Sequence, residues 1–194
     1  MQYKCQRCNH SWKPRKKQKP RVCPSCKSAY WDTPTKKISK DFVDITKKNI
    51  VILHDLIIKE SGGAHGIRDE GGVHNAAYRI LKFIQKNHKF PYKVGAFIFE
   101  DLAKRHHFSD GNKRTAYCFT KVYLMLTGYH LKVEYPAAVS FILQIASHES
   151  PKTFNEIEQW IKHNIEKISP KHKIDKYLKE LYYDIIHEKK EEET

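Results

Sequence analysis

From about residue 46 onward, apolar side chains return every three or four positions, the spacing of helices that bury one face. Ile50, Leu53, His54, Ile57 and Ile58 predict a helix over about 46–60, with His54 packed in it rather than acting as a ligand. Val73, Ala76, Ala77, Ile80, Leu81 and Ile84 predict a second. Val94, Phe97, Ile98, Leu102 and Ala103 predict a third within 91–105. Ala116, Phe119, Val122, Tyr123 and Leu126 continue the pattern in a fourth, closed by Gly128, and Cys118 falls among these core positions. Three more stripes follow: one after Tyr135-Pro136 with Val139, Ile142, Leu143 and Ala146; one with Phe154, Ile157, Trp160, Ile161 and Ile165; and one from Ile174 to Ile186. The expected fold class is therefore mainly α.

Two stretches break the pattern. Residues 61–72 hold five of the eight glycines, so they predict a flexible flap. Their spacing is not that of a P-loop, and no Gly-Lys-Ser/Thr follows. Thr33 to Lys40 is polar and contains Pro34, the composition of a linker. These breaks divide the chain into a small module at 1–32, a linker at 33–43, a helical domain at 44–150 and a helical extension at 151–194.

At 194 residues and 40% hydrophobic, the chain can bury one ordinary core beside a small appendage. Its net charge of +14 sits mostly in that appendage: residues 1–40 carry 12 Lys and Arg against Asp32 alone, which is +11 and leaves +3 for the rest. General nucleic-acid binding by the helical body is disfavoured accordingly. No run approaches the roughly 18 apolar residues of a membrane span, and the expectation is a cytoplasmic protein with no membrane partner.

Within the appendage, Cys5-x2-Cys8 and Cys23-x2-Cys26 form two paired knuckles, the pattern of a tetrahedral thiolate site for structural Zn2+. So short a segment has little core of its own, and metal binding would supply its folding energy. The intervening Trp12-Lys13-Pro14-Arg15-Lys16-Lys17-Gln18-Lys19-Pro20-Arg21 is either a solvated loop around a small aromatic core or a contact for RNA or another acidic partner.

The densest chemistry lies between the third and fourth stripes, in His106-His107-Phe108-Ser109-Asp110-Gly111-Asn112-Lys113-Arg114. Asp110-Gly111-Asn112 is a turn signal, so the run is a corner that opens a helix. Helix N-terminal N–H groups favour an anion there, and Lys113 and Arg114 add two charges. An imidazole titrates where a general base must. The corner reads as a phosphate-handling site.

The run His106-x-Phe108-x-Asp110-Gly111-Asn112-Lys113-Arg114 resembles the signature of Fic/Doc (Fido) proteins, and its lysine form is similar to the Doc, or death-on-curing, branch. The AMP-transferring members usually have glycine at Lys113 and a second arginine at Tyr117; this chain departs from both. The resemblance implies a Fido-type helical bundle with a small β flap, here preceded by a zinc-ribbon module. It assigns the general base to His106 and places His107 at a variable, exposed position. It gives Mg2+ to Asp110, and the phosphates to Gly111, Asn112, Lys113 and Arg114. It also implies a flap at Gly66, Ile67 and Arg68 that pairs with the target segment, although an Arg68–Asp69 ion pair is an equal reading of that segment.

The implied activity is transfer of a terminal phosphate from ATP or another nucleoside triphosphate to a hydroxyl of a protein substrate, as the toxin of a toxin–antitoxin pair. Two alternatives stay open: a Fic-type AMP transferase, and a non-catalytic zinc-ribbon adaptor or nucleic-acid-binding protein. The family's inhibitory helix carries Ser/Thr-x3-Glu, which this chain lacks, so restraint would come from a separate antitoxin.

Overall fold

A computed structural model of the protein describes residues 2–14, 18–33, 37–147, 149, 151–168 and 174–186. Parts of three sequence features lie outside them: Arg15 to Lys17 of the basic run, Pro34 to Lys36 of the linker, and Pro170 with the charged tail from Glu188. The chain divides into two compact units, Met1–Ile38 and Ser39–Thr194.

In the first unit, β1 (Tyr3–Lys4) pairs antiparallel with β2 (Ser11–Trp12), Tyr3 opposite Trp12. Among the described residues its core is Cys5, Cys23 and Trp31, with Tyr3 and Trp12 against it. So small a cluster cannot offset the chain entropy of fixing the segment.

The second unit is helical, with α1 (Lys40–Ser61), α2 (Glu70–Asn87), α3 (Pro91–Lys104), α4 (Asn112–Leu126), α5 (Tyr135–Ile145), α6 (Phe154–Asn164) and α7 (Ile174–Ile186) among the described residues. α3 packs along α4 and is covered by α6; α1 lies against α2 and α4; α7 reaches α1 and α4. In α1, α2, α3 and α6 the predicted stripes supply contact positions, with Ile57, Val73, Ile98 and Ile161 fully buried. In α4 and α5 the buried face is turned from the expected one: Leu126 and Leu143 are exposed, while Leu124, Met125, Phe141 and Ile145 are buried against the neighbouring helices. α1 begins at Lys40, well before the expected start, because Val43 extends its buried face into the stretch read as linker. Pro91 opens α3, where its missing N–H costs no helical bond.

A second short pair, β3 (Tyr129–Leu131) with β4 (Ile165–Lys167), ties the end of α4 to the end of α6. The apolar stripe that includes Ile165 predicts helix there, but the backbone at Ile165 is already extended and enters β4. Thr153 and Glu156 form a capping box at the start of α6, and these hydrogen bonds hold the Glu156 carboxyl down at about 2. Thr153→Ala is expected to cost about 1 kcal/mol, measured by chemical denaturation.

Candidate active site and zinc site

The corner between α3 and α4 is built from the core outward. Phe108 is buried and stacks on the ring of His54 from α1, centroids 3.7 Å apart and planes 9° from parallel. Thr115 Oγ1 donates to the Gly111 carbonyl at 2.8 Å and lies 3.2 Å from His54 Nδ1. With the hydroxyl proton committed to Gly111, Nδ1 of His54 is the donor of that second bond. His54 is thus a packed residue that braces the turn, as its place in the apolar stripe suggested.

Gly111 sits at φ +67 as the N-cap of α4, a left-handed conformation that favours glycine, and a Cβ there would meet Ile58 Cδ1 at 2.8 Å, so that side chain would have to shift. Asn112 staples the corner: its side-chain oxygen accepts from Phe108 N and its amide donates to Phe108 O, each at 2.9 Å. That side chain is spent on the turn. Any contribution of Asn112 to anion binding falls to its backbone at the head of α4.

The polar groups of the corner face outward. His106 and Lys113 are exposed, and Asp110 and Arg114 are partly so. Asp110 Oδ1 accepts from Gly111 N at 2.6 Å, while Oδ2 faces Arg114 Nη2 at 3.5 Å and Ala64 N at 3.4 Å. Arg114 Nη1 also donates to Ser61 Oγ and to the Gly62 carbonyl, the latter at 3.0 Å. The loop after α1 therefore lies directly on the carboxylate and guanidinium. Gly63, at φ +113, comes so close that a Cβ would sit 2.4 Å from Asp110 Oδ2.

The flap is joined to the corner by backbone. Ile67 and Phe108 form an antiparallel bridge, Ser109 N donates to Gly66 O at 3.0 Å, and Arg68 N and Asp69 N both donate to His107 O at 2.8 and 3.1 Å. Gly66, Ile67 and Arg68 are exposed. Asp69 does not pair with Arg68; its carboxylate caps α2 by accepting from Gly72 N at 2.7 Å.

His107, expected to be exposed, is 4% exposed. Beyond Lys104 the backbone turns extended, at φ −109 and ψ 104 in Arg105, and neighbouring side chains of an extended chain point to opposite sides. His106 faces out, so His107 faces in. Its ring lies against the start of α2, where a Cβ on Gly72 would come within 2.7 Å of His107 Nδ1.

Burial lowers the pKa of both His54 and His107 from 6.5; Asp55 and Asp110 oppose this at the first, Asp101 and Asp69 at the second. His130 is lowered by burial too, against the pull of Glu180. The unfolded chain takes up these protons near 6.5 while the fold resists them. The stabilisation is therefore present above about pH 6.5 and is lost as pH falls through the depressed values. The thermal midpoint of the helical unit should fall between about pH 7.5 and about pH 5, and an unchanged midpoint would contradict this.

A residue that sequence reasoning missed supports the corner from behind. Asp101, 7% exposed, accepts from Arg79 Nε and Arg105 Nε at 3.0 Å each and from Arg79 Nη2 at 2.8 Å. The signal was an acid inside an apolar stripe, between Ile98 and Leu102. Asp101→Ala leaves two cations facing each other and is expected to destabilise by roughly 2–3 kcal/mol in denaturant titration, below the fully buried case because both arginines are partly exposed.

In the first unit, the two knuckles share one backbone pattern. The carbonyls of Cys5 and Cys23 accept from Asn9 N and Lys27 N, and their amides donate to His10 O and Ser28 O. Asn9 and Lys27 both take positive φ. This gathers the four Sγ atoms within 4.8 Å of one another, with Cys5–Cys26 and Cys8–Cys23 at 3.7 Å. Tetrahedral Zn–S bonds of about 2.3 Å put sulfurs about 3.8 Å apart. The four cysteines fit a zinc ion.

A model of the Fic/DOC family matches residues 44–124, which span α1 to α4 and contain every residue of the corner and flap. The match supports a Fido-type domain there. No curated protein matches the chain. Among the described residues, no helix is long and apolar enough to cross a membrane.

Proposed function

We propose that the helical unit is a Doc-like phosphotransferase that moves the terminal phosphate of a nucleoside triphosphate to a hydroxyl of a protein. The observation that carries this reading is the outward-facing His106 at a corner whose next helix begins with a left-handed glycine, Lys113 and Arg114. A general base, a helix N-terminus and two cations are the parts that phosphoryl transfer asks of a protein.

In this reading His106 accepts the proton of the target hydroxyl as the oxygen attacks. Lys113 and Arg114, with the N–H groups at the head of α4, hold the phosphates and offset the charge that builds on them. Arg114 is oriented for this by Ser61 and Gly62. Asp110 is a partly exposed hard-oxygen donor beside the same cations, and it fits Mg2+, which commonly takes one or two protein carboxylates. When bound, that ion neutralises nucleotide phosphate charge. The flap at Gly66, Ile67 and Arg68, already bridged to Phe108, would align the extended target segment by strand addition.

Two positions favour terminal-phosphate transfer over AMP transfer. Lys113 brings a cation where the AMP-transferring relatives usually have glycine. Tyr117, where they carry a second arginine, is 5% exposed and packs near Phe99 in the core. We further infer a toxin role from the resemblance to the Doc branch; with no Ser/Thr-x3-Glu pattern in this sequence, restraint would come from a separate antitoxin.

The leaving group tests the reaction. Incubated with ATP, Mg2+ and native cell extract, the protein should release the nucleoside diphosphate in step with protein modification. Release of pyrophosphate instead would favour the AMP transferase, and no release above the extract alone would favour a non-catalytic body.

A further inference from the structure

The first unit carries a surface that neither the metal nor the transfer reaction uses. Beside the knuckles is a cleft of about 840 Å³, lined by His10, Trp12, Lys13, Lys19 and Arg21 among others. Three aromatic rings lead from the core to this cleft. Trp31 is buried; Trp12 meets it nearly edge-on at 5.0 Å; His10 stacks along Trp12 at 5.8 Å with planes 13° apart. The last ring, His10, is exposed, as are Lys13 and Arg21. Lys19 is paired with Asp32, the one acid of residues 1–40. Around it the segment keeps +11 of the molecule's +14.

We propose that this cleft binds single-stranded nucleic acid, with phosphates against Lys13 and Arg21 and a base on the His10–Trp12 stack. Alternating phosphates and flat rings match both halves of the surface, because every base has a π-face and stacking tolerates any sequence. An acidic polypeptide would meet the cations but leave the ring ladder unused. A duplex hides its base faces. Pro14, Pro20 and Pro24 also line the cleft and restrict its backbone, which lowers the entropy lost on binding.

The test uses the full-length, zinc-loaded protein and a fluorescent oligouridylate of about ten nucleotides, read by anisotropy as salt is raised. Saturable binding is expected, with log K falling against log salt at a slope of about −1.5 to −2 for two or three phosphates. Lys13→Glu with Arg21→Glu should abolish binding, and His10→Ala should weaken it roughly tenfold, the loss of one stacked base. Lys89→Glu on the helical unit should leave it unchanged. All are exposed positions, and zinc content verifies that each ribbon is intact. The proposal is overturned if the wild type binds the oligouridylate no better than polyglutamate, the result expected for an acidic protein partner. It is equally overturned if a duplex of the same length binds as tightly, or if the double variant binds as the wild type does.

Discussion

His106→Ala is expected to lower phosphate transfer by about 10²–10⁴-fold while leaving the thermal midpoint of the helical unit where it was. The split between the two readouts follows from where the ring sits. His106 is exposed, and no described residue hydrogen-bonds its imidazole, so truncation removes proton transfer and little packing. His107→Ala should do the reverse to stability: it empties a buried site between the corner and the start of α2 and should lower the midpoint. An unchanged rate for His106→Ala would remove the general base from the account, whatever His107→Ala did.

Zinc removal should have the second large effect, confined to the first unit. A core of three buried residues cannot hold residues 1–38 together, and structural zinc contributes about 10–16 kcal/mol in comparable small modules. Chelation, or Cys8→Ser with Cys26→Ser, should therefore unfold the ribbon. Trp12 and Trp31 would enter water and their emission shift to the red, and protease would cut within 1–38. The helical unit has its own core and should keep its helical signal. A chelated protein whose tryptophan emission and protease pattern match the loaded form would show that the thiols are not a folding site.

Much of this was legible in the chain because it rests on local rules. Helical stripes report buried faces directly: Ile50, Ile57 and Ile58 in α1, or Val73, Ala76, Ala77 and Ile80 in α2, lie where periodicity put them. The knuckles were legible because metal geometry fixes cysteine spacing. What periodicity could not supply was anything set by distant pairing or by the chain leaving a helix. The β3–β4 pair joins segments with no mutual sequence mark. Asp101 stands out as an acid in an apolar stripe, but its partners Arg79 and Arg105 are set by how α2 packs on α3 and by the turn beyond it. Which of the adjacent imidazoles is buried is set by the extended backbone after α3. The contacts of Asp110 and Arg114 with residues 61–64 likewise depend on a glycine loop whose path no pattern fixes.

The central claim is that the corner led by His106 delivers the terminal phosphate of a bound nucleotide to a protein hydroxyl. Its most direct test supplies ATP labelled at the terminal or at the first phosphate, together with native extract and either the wild type or His106→Ala. Label from the terminal phosphate should enter protein with the wild type and fail to enter with the variant. Label arriving from the first phosphate, or equal labelling by the variant, would contradict it.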